Sequence, residues 1–100
     1  MDLVAKRLKE ARTRAGLSQE RLGVLAGIDE MSASARMNQY ERGKHIPDFG
    51  TVLRIAAVLK VPAAYFYAVS DDEADLLLKF HRMTKAQRAE VISFVQSLAL

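Results

Sequence analysis

Apolar residues recur three and four positions apart through most of the chain, the spacing that places side chains on one side of an α-helix. In a first helix over residues 3–15, which ends at Gly16, the apolar positions are Val4, Leu8, Ala11 and Ala15. A later helix is capped by Asp48, and its apolar positions are Phe49, Val52, Leu53, Ala56 and Leu59. Pro62 suits the first turn of a short further helix, whose aromatic residues are better explained as core than as base-stacking groups. The pattern predicts an all-α protein.

The stretch from Leu17 to Gly43 has the pattern of two short helices joined by a turn. Ser18 is a suitable N-cap for the first of them, and Leu22, Leu25 and Ala26 follow at helical spacing. Gly23 leaves room for a second helix to cross closely, and Gly27 suits the left-handed end of a helix. We expect the second helix to begin at an N-cap that is either Ser32 or Ser34.

The second helix of this pair has two chemically different sides. At about 100° per residue, Met37 and Tyr40 face inward, and Arg36 and Gln39 face outward together with Ala35 and Arg42. Arginine can donate two hydrogen bonds to guanine and glutamine can bond adenine in the same bidentate way, so this side fits a DNA major groove. A polar side exposed to solvent explains the same pattern equally well.

Composition and charge narrow the possible functions. The chain has no cysteine, which excludes a disulfide framework and thiolate chemistry, and no segment long and apolar enough to span a membrane, so we expect a cytoplasmic protein. Residues 1–69 carry eleven Lys and Arg against seven Asp and Glu, a net of +4, and residues 70–100 carry four against five, a net of −1. The basic excess therefore lies in the part that contains the helix pair.

Residues 3–69 contain three short motifs, which are Ser18-Gln19-Glu20, Gly27-Ile28, and Tyr40-Glu41-Arg42-Gly43-Lys44 followed by Pro47. Together these motifs resemble the phage repressor and Cro-like (XRE) helix-turn-helix family. The resemblance implies a five-helix, repressor-like DNA-binding domain whose second motif helix enters the major groove.

The resemblance also implies roles for individual residues. Those expected to contact bases are Ser34, Ala35, Arg36 and Gln39. Those expected to contact phosphates are Gln19, Arg42 and Lys44, to which the loop residue His45 is added as a further candidate. Arg12 and Glu41 are expected to form a structural ion pair. The other basic residues of the first helix, Lys6 and Arg7, are interpreted as solvated. One departure from the family is that the segment between Ile28 and Tyr40 is about four residues longer, which predicts a longer turn at 29–34.

Residues 70–100 have the pattern of a two-helix extension. Ser70 or Asp71 caps one helix to about Arg82, and Thr84 and Gln87 have the spacing of a capping box for another. Their apolar residues spread more widely than one buried side needs, so either both flanks pack on the rest of the chain or one of them forms a dimer contact. We divide the chain into a helix-turn-helix DNA-binding unit over 1–69 and a C-terminal helical hairpin over 70–100, a dimerisation element.

The sequence favours a DNA-binding regulator, a repressor in its simplest form, acting as a homodimer on a palindromic double-stranded DNA site. His45 and His81 are far apart and have no ligand-spaced partners, and no nucleophile or phosphate-binding motif is present, so we expect no enzyme activity, metal or cofactor. The alternative is a protein-interaction module, such as an antitoxin or adaptor. The two readings are compatible, because a regulator of this kind can also have a regulatory protein partner.

Overall fold

The computed structural model describes residues 2–100, and all regular structure in that part of the chain is helical. The α-helices are α1 (Leu3–Arg14), α2 (Gln19–Leu25), α3 (Glu30–Glu41), α4 (Phe49–Leu59), α5 (Asp71–Arg82) and α6 (Lys85–Ser97), with a short 3₁₀ segment, η1 (Ala63–Tyr67), between α4 and α5. This order confirms the predicted all-α fold of five helical elements followed by two more. Within residues 2–100, no helix is long and apolar enough to cross a membrane.

Short polar side chains begin six of the helices by accepting a hydrogen bond from an otherwise unpaired backbone N–H. Ser18, Asp48, Ser70 and Thr84 do so as predicted, and Thr84 and Gln87 form the complete capping box. The backbone N–H of Thr51, and then its side chain, hold the pKa of Asp48 below its ordinary value.

The start of α3 differs from the prediction. Its N-cap is Asp29, whose carboxylate accepts a hydrogen bond from the Met31 N–H at 3.1 Å, and neither Ser32 nor Ser34 has that role. The additional residues of the 29–34 segment therefore do not lengthen the turn. They form the first turn of α3, because Asp29 offers a cap three residues before Ser32 and five before Ser34.

A single hydrophobic core joins α1, α2, α3, α4, η1 and α5. Its largest fully buried side chains are Tyr65, Phe66, Leu8, Leu22, Met37, Ile55 and Val52. The predicted core members Ala15, Leu25, Phe49 and Leu53 are exposed. In α4 the reason is that the buried side is centred on Val52, Ile55 and Leu59, which leaves Phe49 and Leu53 on its flank.

Arginine side chains join the helices by donating to backbone carbonyl groups at helix ends, where acceptors lack partners. Arg54 of α4 donates to Ala26 O at 2.9 Å, and Arg82 of α5 donates to Lys60 O at 3.2 Å. Arg7 of α1, expected to be solvated, is only 3 % exposed and donates to Ala68 O at 2.8 Å and to the Asp71 carboxylate at 2.9 Å. The interpretation of Arg7 as a solvated residue is therefore wrong, because the end of η1 supplies an acceptor that the helical pattern of α1 does not reveal.

Of the last two helices, only the first contributes buried residues to the core. Ala74 and Leu78 of α5 are buried in the core, whereas no residue of α6 is buried. Arg88 of α6 donates to the carbonyl groups of Phe80 and His81, so α6 begins against the end of α5 and then leaves the body of the molecule. The molecule is correspondingly long, measuring 51 × 27 × 22 Å.

Candidate nucleic-acid interface

The close crossing of α2 and α3 fixes the geometry of the candidate site. A Cβ atom added to Gly23 of α2 would lie 2.8 Å from the Cβ of Ala33 and 3.0 Å from the Ala33 carbonyl oxygen. Only glycine therefore permits this approach, as the sequence predicted. Ala33 lies in the additional turn of α3 and is completely buried, so the additional turn is fixed against α2.

Helix α3 separates its anchoring and outward-facing side chains clearly. Met37 is completely buried, and Tyr40 and Glu41 are buried beside it. The exposed candidates on the helix are Ser34, Ala35 and Arg36, and Gln39 is half-exposed. The side chains of Arg36 and Gln39 thus lie outside the core while Met37 and Tyr40 hold the helix to it.

Beneath α3, a polar network joins three helices. Arg12 of α1 donates to both carboxylate oxygens of Glu41, at 2.5 and 3.0 Å, and also to Leu17 O at 2.8 Å. The hydrogen bond to Glu41 raises the pKa of Arg12. Gln19 of α2 donates to the same carboxylate at 3.2 Å and accepts a hydrogen bond from Asn38 of α3 at 3.5 Å.

The network changes the expected role of Gln19 and adds a residue that the sequence analysis missed. Gln19 was expected to be a phosphate contact, but its half-buried amide is already bonded to Glu41 and Asn38. One N–H of that amide is left for another acceptor. The role of Asn38 had no signal in the sequence, because its partner is nineteen positions away on another helix.

The loop after α3 carries the other phosphate candidates. Arg42 ends the helix, and Lys44 and His45 follow Gly43; all three of these candidate side chains are exposed. The loop is held to the helix by the backbone N–H of Lys44, which donates to Gln39 O at 3.0 Å. Loop and helix together border an open concavity of about 430 Å³, lined by Arg36, Gln39, Tyr40, His45, Ile46 and Asp48.

Cationic side chains available on this side of the molecule are fewer than the sequence suggested. Of the basic residues in 1–69, Arg7, Arg12 and Arg54 are used in bonds that hold helices together. Arg36, Arg42 and Lys44 are exposed near the end of α3.

In the part of the chain that the structure describes, no group of three or more His, Cys, Asp or Glu side chains is placed to hold a metal ion.

Comparison with known proteins agrees with this geometry. Residues 3–77 match the family model of the helix-turn-helix domain. The chain is also similar to a solved structure described as the crystal structure of transcriptional regulator BswR, with 50 % sequence identity and a TM-score of 0.88 over 94 % of this chain and 93 % of that one. No curated protein matches. A regulator of this class is not an enzyme. The match covers three quarters of the residues, and the chain therefore belongs to the helix-turn-helix domain family.

Proposed function

We propose that this protein is a sequence-specific transcriptional regulator that binds double-stranded DNA as a homodimer, with α3 in the major groove. The observation that carries the proposal is the arrangement of α3, in which buried Met37 and Tyr40 fix the helix while Arg36 and Gln39 remain outside the core. An exposed Arg and a half-exposed Gln offer the bidentate hydrogen bonds that distinguish guanine and adenine in that groove.

In this proposal, base contacts and phosphate contacts come from different residues. Arg36 and Gln39 supply base recognition, with Ala35 and Ser34 as shorter neighbours. Arg42, Lys44 and His45 supply phosphate contacts from the helix end and the loop, and Gln19 adds one through its remaining N–H. Phosphate contacts position the protein and give most of the affinity, while base contacts give discrimination.

The homodimer is supported by the apolar side that α6 leaves without a partner. Val91, Phe94, Val95 and Leu98 recur three and four positions apart, so they share one side of the helix, and none of them is buried. A two-fold dimer places two recognition helices about one turn of DNA apart, which a palindromic site matches. In this model repression follows from occupation of such a site near a promoter.

A regulatory protein partner is the second candidate, and the same side of α6 favours it. In that case the apolar residues of α6 are covered by another protein rather than by a second copy of this chain. A purified preparation that is monomeric but binds a partner through α6 would support this second candidate.

Binding to the DNA upstream of the protein's own coding region, titrated at several salt concentrations, tests the proposed function. We expect log Kd to change linearly with log salt concentration, because the bound phosphates release counterions. Lys44→Ala should weaken binding to every sequence and reduce the magnitude of the salt slope by about one.

Lys79→Ala is the matched control, because Lys79 lies on α5 and pairs with Asp75 at 2.8 Å. The control should leave both the affinity and the salt slope unchanged. Equal effects of the two lysine substitutions, or no DNA binding at low salt, would contradict the proposed function.

A further inference from the structure

The additional turn of α3 exposes a methionine that the proposed function does not yet use. Met31 is 92 % exposed at the start of α3. Its position is well defined, because Asp29 caps its N–H and the neighbouring Ala33 is buried against Gly23. The exposure of Met31 is therefore a property of a fixed helix turn.

Helical geometry places Met31 in one row with Ala35 and Gln39 of α3. Residues 31, 35 and 39 are four apart, so their side chains follow one another along the helix with an offset of about 40° per step. This row, Met31, Ala35 and Gln39, lies opposite the buried residues Ala33, Met37 and Tyr40. By the same geometry Arg36 lies about 140° from Met31, so Met31 extends the row of Ala35 and Gln39 and not the side that carries Arg36.

The charge around Met31 disfavours a phosphate as its neighbour. Asp29 and Glu30 are both exposed at the start of α3, and the Asp29 carboxylate accepts a hydrogen bond from the Met31 N–H. Two carboxylates at this end would repel a DNA phosphate, although a helix N-terminus otherwise attracts anions. An apolar side chain with acidic neighbours fits base edges in the groove better than the sugar-phosphate backbone.

We infer that Met31 is a specificity-determining residue that contacts the C5-methyl group of a thymine, one helix turn beyond the base pair opposite Ala35. This inference rests on the proposed function. Four residues advance a helix by about 6 Å. Each half-site therefore extends beyond what Ala35, Arg36 and Gln39 reach. The thymine methyl group is the apolar feature of the major groove that a methionine can contact.

Thymine-to-uracil replacement tests the inference, because it removes only the methyl group. The probe is a duplex selected from random DNA by the full-length chain, with each thymine of a half-site replaced in turn. At one position near the half-site edge, replacement should weaken binding of the wild-type protein about fourfold, the effect of one buried methyl-sized group. Met31→Ala should weaken binding to the thymine duplex by a similar factor and be insensitive to the replacement.

Met31→Leu is the matched control. It keeps an apolar side chain at this position and should therefore retain the sensitivity to uracil. Circular dichroism checks that each variant is folded. We expect both to fold, because residue 31 is exposed. A selected site at which wild type and Met31→Ala respond alike to every replacement would overturn this inference alone. Failure to select any DNA would overturn the proposed function and the inference together.

Discussion

Glu41 is the residue on which the orientation of the candidate interface depends. Its buried carboxylate accepts hydrogen bonds from Arg12 of α1 and Gln19 of α2, so the C-terminal end of α3 is joined to both preceding helices. A carboxylate that is 4 % exposed is tolerated only when it is paired and hydrogen-bonded. The same three residues therefore fix where Arg36 and Gln39 lie relative to the rest of the molecule.

Arg7 joins α1 to the end of η1 and to the start of α5. Its partner Asp71 makes the stability of the protein depend on pH. The hydrogen bond from Arg7, followed by the charges of Lys6 and Arg7, lowers the pKa of Asp71 from the ordinary value of 3.8. Because the folded-state pKa is the lower one, this stabilisation is present above pH 3.8 and is lost as pH falls through the folded-state pKa.

We therefore expect Asp71→Asn to lower the free energy of unfolding at pH 7 and to have a smaller effect below pH 3.8. Urea titrations of both proteins at pH 7 and pH 3 give the comparison. Asp72→Asn is the control, because Asp72 also lies in the first turn of α5 but does not bond Arg7. A difference between wild type and Asp71→Asn that is the same at both pH values would contradict the assignment.

At the scale of elements, the crossing of α2 and α3 defines the helix-turn-helix unit. The crossing is close because Gly23 faces Ala33, and the additional turn of α3 depends on it. The effect of a substitution in these two helices on stability therefore depends on the space between the helices as well as on helix propensity.

Gly23→Ala is expected to destabilise the protein by about 1–3 kcal/mol, since the added methyl group would overlap Ala33 and the helices would have to separate. Gly50→Ala is the matched control. Gly50 lies in the first turn of α4, where an added Cβ would meet no atom closer than 3.5 Å. It should be neutral or stabilise by up to about 1 kcal/mol, because alanine is the better helix former. Chemical denaturation measures both, and equal effects would exclude the close crossing.

The elements also show how far sequence reasoning extends. Helix positions and most N-caps were predicted because apolar spacing and capping residues are local signals, and Gly23 was identified for the same reason. The sequence pattern places the start of α3 too late. Asp29, Ser32 and Ser34 are all suitable N-cap residues, and the local sequence does not distinguish among them. The burial of Arg7 and the bonds of Asn38 depend on partners distant in sequence, which no local pattern contains.

At the scale of the whole molecule, the protein consists of a packed body and a projecting helix. The Cα radius of gyration is 15.1 Å, compared with about 13 Å for a compact domain of this length. The difference reflects α6, which contributes no buried residue in the single chain. A helix with an apolar side and no intramolecular partner is suited to association.

Val95→Asp should make the protein monomeric, because it places a charge within the apolar side of α6. Ser93→Asp is the control, as Ser93 lies on the other side of the same helix. Sedimentation analysis should detect the monomer, and circular dichroism should show unchanged helix content, since Val95 is exposed in the single chain. Loss of the second DNA contact should weaken binding to a palindromic site by about 100-fold or more. A dimeric Val95→Asp protein would show that the two copies associate elsewhere.

The most direct test of the central claim, that α3 recognises bases through Arg36 and Gln39, is selection of preferred DNA from a random pool. Wild-type protein, Arg36→Ala and Gln39→Ala would each be used. We expect the wild type to select a palindrome, and each variant to lose preference at one base pair per half-site, equivalent to about 1–3 kcal/mol of discrimination. Unchanged preferences in both variants, with only a uniform loss of affinity, would contradict the account.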